Sequence, residues 1–209
     1  MLIKLRYRGQ PHSPDDVQAL TQEIEDICRA NDWPFNLWNE DWSLPATISL
    51  EGSEAGLRFW GHAPLRGISF KPGDHAEMVW MTFMPDGLLQ SLFTLDDPTF
   101  TGESVDFPWQ RAKVDLNQSE THLALCKLFR YVSGKYFARF EVRDESGYWQ
   151  HGDEARFTTW AAVVARSYNQ WQDEMAAIQA DETLDPDQKY AMLKRLTQEH
   201  KENFRLAGE

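Results

Sequence analysis

The stretch that decides the fold is LIKLRYRGQPHSPDDVQALTQEIEDIC, residues 2–28, which changes its hydrophobic period midway. Over residues 2–9 apolar and mostly basic side chains alternate, and a period of two predicts a half-buried β-strand. Ser13 and Pro14 then suit the N-cap and the first helical position. Apolar residues recur at steps of three and four over residues 17–28, which predicts an amphipathic helix. A strand followed by a capped helix indicates a mixed domain.

The same patterns predict the elements that follow. Residues 32–45 show no clear period and are interpreted as a loop, whose three tryptophans are either packed on the domain or offered to another molecule. Strands are predicted for the segments TISLEG, AGLRFWG, GISFKPG, MVWMTF and LLQSLF (within 47–93), RAKVDL (111–116) and FARFEVR (137–143). The turn MPDG (84–87) predicts a hairpin between two of them, and a helix is predicted to begin at Ser119. The expected fold class is α+β, a mostly antiparallel sheet with helices packed on one face.

Beyond residue 153 the pattern becomes helical. One stripe of apolar steps contains Phe157, Trp160, Ala161, Val164, Tyr168, Trp171, Met175 and Ile178. After a break at 181–188, a second stripe contains Tyr190, Leu193, Leu196, His200 and Phe204. Because the break is short, it predicts an antiparallel helical hairpin. The expected organisation is an α+β domain over 1–150 with a hairpin over 153–206 docked on it, together forming one compact unit.

Charge is distributed unevenly along the chain. The net charge of the 209 residues is −12, and residues 14–57 hold ten acids against the single base Arg29. Such a surface repels phosphate backbones and attracts cationic proteins, so we expect no nucleic-acid partner and a basic protein partner. The alternative interpretation is a solvated acidic surface that aids solubility.

Two cysteines and the absence of long apolar runs indicate the cellular compartment that we expect for this protein. Cys28 and Cys126 lie in helical apolar stripes, so we interpret them as reduced core residues of a cytoplasmic protein. The first residues contain no continuous apolar region of the kind a signal peptide needs, and no stretch approaches the roughly 20 apolar residues that span a bilayer. We therefore expect a soluble protein without a membrane partner.

The segment DESGYWQHGDE (144–154) concentrates four acids and a histidine directly after a predicted strand. With PGDHAEM (72–78), it supplies candidate catalytic residues for a hydrolase-like enzyme: Asp74, His75, Asp144, Glu145 and His151. Apart from His151, these residues also have a local structural explanation, because turns favour such residue types, Asp144 and Gly147 suit the ends of a type I turn and Asp153 suits a helix N-cap. We favour the turn and cap, and predict no bound metal and no cofactor.

Common nucleotide-binding, zinc-protease, hydrolase and redox motifs are absent from the sequence. The function hypothesis is therefore a non-enzymatic interaction or regulatory protein of the immunity or inhibitor type. Its predicted partner-binding residues are Trp33, Trp38 and Trp42 with the acids Asp15, Asp16, Glu40 and Asp41, since aromatic anchors inside a charged rim typify binding surfaces. In the alternative interpretation these tryptophans are core residues. Two different functions stay open beside this hypothesis, the hydrolase and a small-ligand protein with an aromatic-lined pocket.

Overall fold

A computed structural model describes residues 1–53, 56–96 and 108–206. The strands in these ranges are β1 (Leu2–Pro11), β2 (Phe35–Asn39), β3 (Ser49–Ser53), β4 (Gly56–Trp60), β5 (Arg66–Phe70), β6 (Val79–Phe83), β7 (Gln110–Asp115) and β8 (Phe137–Asp144). The helices are α1 (Pro14–Ala30), α2 (Leu92–Asp96), α3 (Ser119–Tyr136), α4 (Tyr148–His151), α5 (Glu154–Ala180) and α6 (Pro186–Leu206). A short 3-10 helix, Leu116–Gln118, precedes α3.

Every pairing between these strands is antiparallel. One sheet has the order β7-β1-β8, a second has the order β2-β5-β6, and β3 and β4 form a hairpin. An antiparallel bridge joins Ala76, on the segment before β6, to Val114 of β7. The predicted α+β class with mostly antiparallel pairing is confirmed.

The core lies between these sheets and the helices α1 and α3. In β1 the side chains of Ile3, Leu5 and Tyr7 are buried, because alternation places them on one face of the strand. Helix α1 packs on β5 and β1, and α3 packs on β7 and β8. The Tyr7 hydroxyl accepts from the backbone N–H of Trp80 at 2.8 Å and donates to its carbonyl at 3.1 Å, which ties β1 to β6.

The loop predicted for residues 32–45 is corrected in its centre, where the structure has the strand β2. This strand pairs with β5 from Phe35 opposite Phe70 to Asn39 opposite Arg66. The pairing extends one residue further, because the amide of Lys71 donates to the carbonyl of Pro34 at 2.9 Å. Alternation is obscured in this short strand because both of its faces are partly exposed.

The strand predicted for LLQSLF (88–93) is also wrong. The turn before it forms as expected, since the Gly87 amide donates to the Met84 carbonyl at 2.9 Å, but pairing stops after one bridge at Leu89. Ser91 and Thr94 then cap α2 reciprocally: the Ser91 amide donates to the Thr94 hydroxyl at 2.9 Å, and the Thr94 amide donates to the Ser91 hydroxyl at 3.4 Å. This cap starts a helix where strand alternation was expected.

Helices α5 and α6 pack together, as the predicted hairpin requires. The α5 stripe is divided along its length. Its first part, Phe157, Ala161 and Val164, is buried, and α5 contacts α3 and the 3-10 helix. The stripe residues beyond Val164 are only half-buried, as expected where α6 is the neighbouring helix. The side chain of Phe204 lies outside the described part of the structure.

Candidate functional site

The segment DESGYWQHGDE contains the turn and the cap that the sequence predicts. The Gly147 amide donates to the Asp144 carbonyl at 3.1 Å, and Gly147 has a φ of 73°, a conformation that favours glycine. After the short helix α4, the Asp153 carboxylate accepts from the backbone N–H of Arg156 at 3.0 Å and caps α5. Of the four acids, Asp153 therefore uses its carboxylate for the cap, while Asp144 contributes its backbone carbonyl to the turn.

The Asp144 side chain has a further role, because it is fully buried. Oδ1 accepts from the backbone N–H of Ser146 at 2.9 Å and from its hydroxyl at 2.8 Å, and Oδ2 accepts from the N–H of Trp149 at 2.9 Å. His122 of α3 reaches the same carboxylate through Nε2 at 3.2 Å. Because an ionised carboxylate only accepts hydrogen bonds, Nε2 carries the proton. Four donors converge on Asp144.

These donors determine the acidity of Asp144. Burial alone would raise the pKa of the carboxyl group, because a charge is costly away from water. The hydrogen bond and charge of His122, with the amides of Trp149 and Ser146, outweigh burial and hold the pKa below its ordinary value. The carboxylate therefore stays ionised in the fold and joins the start of α3 to the end of β8.

The cluster of His122, Asp144 and Ser146 has the residue types of a catalytic triad but not its geometry. In a triad the acid and the nucleophile contact opposite ring nitrogens. Here the carboxylate and the Ser146 hydroxyl both contact Nε2, at 3.2 and 3.1 Å, while Nδ1 has no hydrogen-bond partner among the described residues. The His122 ring stacks on Phe157 at 5.2 Å, which covers it. The arrangement supports packing and not acyl transfer.

The same cluster contains a set of metal-ligand atoms. His122 Nε2, Cys126 Sγ and a carboxylate oxygen of Asp144 lie within 4.8 Å of one another, and such atoms bind zinc in many proteins. In this fold, however, the carboxylate already accepts four hydrogen bonds, and burial, then the charge of Asp144, raises the pKa of the Cys126 thiol. A buried neutral thiol and a saturated carboxylate favour a hydrogen-bonded network, so the absence of metal stays our prediction.

The other candidate catalytic residues do not join this cluster. Glu145 forms an ion pair with Lys4 at 2.9 Å, and the ring of His151 accepts the Asp153 amide at 2.9 Å. Asp74 and His75 are exposed on the segment next to β7, where the His75 carbonyl accepts from the amide of Asp115. Strands β7 and β1 separate that segment from β8, a distance of roughly 14 Å at the usual strand spacing. The two acidic loops therefore do not converge.

The predicted binding acids differ in their surroundings. Asp15 is exposed, whereas Asp16 accepts from the backbone N–H and hydroxyl of Ser13, both at 2.8 Å, and so serves the cap of α1. Glu40 and Asp41 are exposed just after β2. Glu54, one of the ten acids of residues 14–57, lies outside the described residues. Asp15, Glu40 and Asp41 are exposed and form a charged rim, in which Glu40 Oε2 lies 3.8 Å from His62 Nε2 and Asp41 accepts from the amide and hydroxyl of Ser43.

The three predicted tryptophans are each half-buried, so the structure makes them neither wholly core nor wholly surface. Trp33 stacks on Phe70 at 5.7 Å. Trp38 donates from Nε1 to the Ser69 hydroxyl at 3.0 Å on the second sheet. Trp42 lies beneath the guanidinium of Arg66 at 4.5 Å. Each ring therefore contacts the rest of the fold and keeps part of its surface exposed.

A groove of about 490 Å³ lies between α1 and the end of β2. Asp15 and Glu25 line it from α1, while Trp38, Trp42 and Leu37 line it from the other side. Leu37 is 52% exposed, a large fraction for an aliphatic strand residue. The groove therefore brings apolar side chains and carboxylates together in space. The sequence showed only that acids and tryptophans both occur within residues 14–57.

A second cavity, of about 350 Å³, lies beside β6 and β7. Its lining includes Met78, Trp80, Phe93 and Trp109. Arg8 and Arg143 stand over the ring of Trp109, at 4.4 and 4.3 Å from its centroid. This volume is at the lower end of the range for small-molecule sites, so the cavity is the structural counterpart of the small-ligand hypothesis.

Comparison with known proteins gives no further guide: no family model, curated protein or solved structure matches the chain. Within the described ranges, no helix has the length and apolar character needed to cross a membrane. Functional conclusions rest on the geometry alone.

Sequence reasoning missed two features of these sites. From the sequence, His122 is an ordinary packing or surface residue, because its partner Asp144 is 22 residues away. The only signal was the spacing of His122 and Cys126, which places both on one face of α3. The edge strand β2 was missed as well, because apolar and polar residues do not alternate regularly over its five positions.

Proposed function

We propose that this protein binds a cationic protein partner through the groove between α1 and β2. The observation that carries the proposal is the meeting of Asp15 and Glu25 with the half-buried Trp38 and Trp42 and the exposed Leu37 in that groove. A regulatory or inhibitory role in the cytoplasm fits such a surface.

The charges of the residues around the groove support a cationic partner. The described part of residues 14–57 carries one base, Arg29, which pairs with Glu25 at 2.5 Å. Another acid, Glu23, pairs with Lys135. Asp15, Glu40 and Asp41 are exposed around the groove, and their common sign steers cations toward it. Arg66 also lines the groove, but its guanidinium covers Trp42 and donates to the Glu40 carbonyl at 3.1 Å.

Exposed apolar side chains support the presence of a partner. Leu37, Leu44, Phe59 and Trp60 are all large, apolar and about half exposed, and all belong to residues 37–60. Trp38 connects two parts of this region, since its ring lies 6.1 Å from that of Phe59. Apolar anchors surrounded by charge are typical of binding surfaces, where the anchors hold the complex and the charges set the association rate.

The proposal is tested with Asp15→Lys and a matched control, Asp187→Lys. Each aspartate is exposed and follows the proline that begins its helix, α1 or α6, so both substitutions make the same change of charge and dipole interaction. The probe is a ten-residue peptide of alternating Lys and Val, with a Glu–Val peptide as its anionic counterpart.

We expect the Lys–Val peptide to bind, with an association rate that falls steeply as salt rises from 0.05 to 0.5 M in stopped-flow measurements, because screening shortens the reach of surface charge. Asp15→Lys should slow association by about five- to tenfold, and Asp187→Lys should leave it within about twofold. Equal effects of the two substitutions, or equal binding of the two peptides, would contradict the proposal.

The cavity beside β6 and β7 favours a second candidate function, the binding of a small aromatic molecule. Ligand entry should change the fluorescence of Trp80 or Trp109, because both rings line the cavity. Trp80→Phe and Trp109→Phe variants titrated with a set of aromatic acids and amines test this. Failure of every compound to change fluorescence or melting temperature would remove this candidate.

A further inference from the structure

The strand β2 lies at the edge of its sheet, and its hydrogen-bonding pattern shows which backbone groups face outward. The Pro34 carbonyl and the Glu40 amide both bond to the chain of β5. Backbone groups alternate in direction along an antiparallel strand, so Asn36 and Trp38 also face β5. Those of Phe35, Leu37 and Asn39 therefore face away from the sheet.

These outward groups are unsatisfied within the part of the chain that the structure describes. No described residue forms a hydrogen bond with the outward N–H or C=O of Phe35, Leu37 or Asn39. Natural proteins protect such edges with charged side chains, proline or a bulge. β2, FNLWN, contains no charge and no proline, and its pairing with β5 runs in register without a bulge. An unprotected edge of this kind is suited to adding another strand.

We infer that the partner binds as an extended cationic segment that adds a strand to the open edge of β2. This inference rests on the proposed function and specifies how that surface is used. Backbone hydrogen bonds to the edge would supply affinity whatever the partner's sequence, and its alternate side chains would enter the groove beside α1.

Charge selects this occupant over a second copy of the chain. Pairing of β2 with the β2 of another copy would bring two sets of the acids Asp15, Glu40 and Asp41 together, and like charges around one interface repel. A segment with Lys or Arg at alternate positions would place its cations beside the exposed Asp15, which lines the groove from α1. The groove therefore favours a foreign, basic strand.

Leu37→Pro tests the backbone directly. Proline removes the outward N–H of residue 37 but breaks no hydrogen bond of the β2–β5 pairing, and edge strands tolerate it at such positions. Leu37→Ala is the matched control, since it removes most of the side chain and keeps the N–H. Circular dichroism and melting temperature verify that both variants fold.

For the Lys–Val peptide we expect Leu37→Pro to weaken binding by at least about tenfold relative to Leu37→Ala, as the loss of a paired backbone donor requires. Equal affinities of the two folded variants would overturn strand addition. The proposed cationic surface would still stand in that case if the Asp15→Lys effect persisted.

A second measurement modifies the peptide and leaves the protein unchanged, so it does not depend on the folding of a variant. Two Lys–Val peptides carry N-methyl groups on alternate amides, one at odd and one at even positions. Only one set can face β2, so we expect the two affinities to differ by at least about tenfold. Equal affinities would overturn the inference.

Two outcomes would overturn it for other reasons. If no Lys–Val peptide binds the unmodified protein, the proposed function and this inference both fail. If light scattering finds a dimer that Leu37→Pro abolishes, while the peptide does not bind, the edge serves a second copy and not a cationic segment.

Discussion

Replacing Asp144 by Asn tests the buried network most directly. The substitution keeps the size of the side chain but removes its charge and one of its two acceptor oxygens. The single oxygen of asparagine can accept either from Ser146 or from Trp149 and His122. In either orientation its NH2 group faces the other donors, which lie 2.8 to 3.2 Å from the carboxylate of Asp144. At least one buried donor is left without an acceptor.

Hydrogen bonds to a charged group contribute about 1.5–3 kcal/mol each, and a buried donor left without an acceptor costs about 1–3 kcal/mol. We therefore expect Asp144→Asn to lower the free energy of unfolding by about 3–5 kcal/mol. In urea denaturation, with a slope of about 2 kcal/mol per molar, the midpoint should fall by roughly 1.5–2.5 M.

Asp153→Asn is the matched control, because Asp153 is an exposed N-cap and asparagine caps helices about equally well. This control should change the free energy of unfolding by less than about 0.5 kcal/mol. A cost below about 1 kcal/mol for Asp144→Asn would show that the four hydrogen bonds to the carboxylate do not stabilise the fold, and would refute the reasoning.

Folding lowers the pKa of Asp144, so the contribution of its carboxylate to stability is complete above the unfolded pKa of about 3.9 and is lost as the pH falls through the folded pKa. The urea midpoints of the unmodified protein and of Asp144→Asn should therefore converge only below about pH 4. Burial, then Glu25, raises the pKa of Cys28 to about 12, and Cys126 is raised by burial as well, so neither thiol should react with a disulfide reagent at pH 8 until the protein is denatured; fast reaction of either would contradict their burial. Phe157→Ala should lower the free energy of unfolding by about 3–5 kcal/mol, because the Phe157 ring is fully buried between His122 and Tyr148. Trp171→Ala should cost less, because the Trp171 ring is only half-buried. The reverse order in urea denaturation would show that α5 does not dock on the domain through Phe157. Elemental analysis of protein purified without metal-affinity resin should find far less than one equivalent of metal, and a stoichiometric metal lost on His122→Ala would instead assign His122, Cys126 and Asp144 as ligands.

The sequence by itself determined the elements whose causes are local. The alternation of β1, the proline start of α1, the turn from Asp144 to Gly147 and the Asp153 cap each depend on residues within a few positions of one another. Local sterics and short-range hydrogen bonds act in the same way in any surroundings, so these patterns predicted the α+β class and the helical hairpin correctly.

Tertiary structure alone decided what depends on distant partners. β2 is a strand because β5 pairs with it, and Trp38 contacts Ser69, 31 residues further along the chain. His122 became part of a buried network only because α3 packs against the end of β8, where Asp144 lies. Whether an apolar segment is a covered loop or an open edge depends on which strands fold next to it, and periodicity contains no information about pairing between distant segments. The acidic charge of residues 14–57 was therefore visible in the sequence, while the open backbone edge of β2 was not.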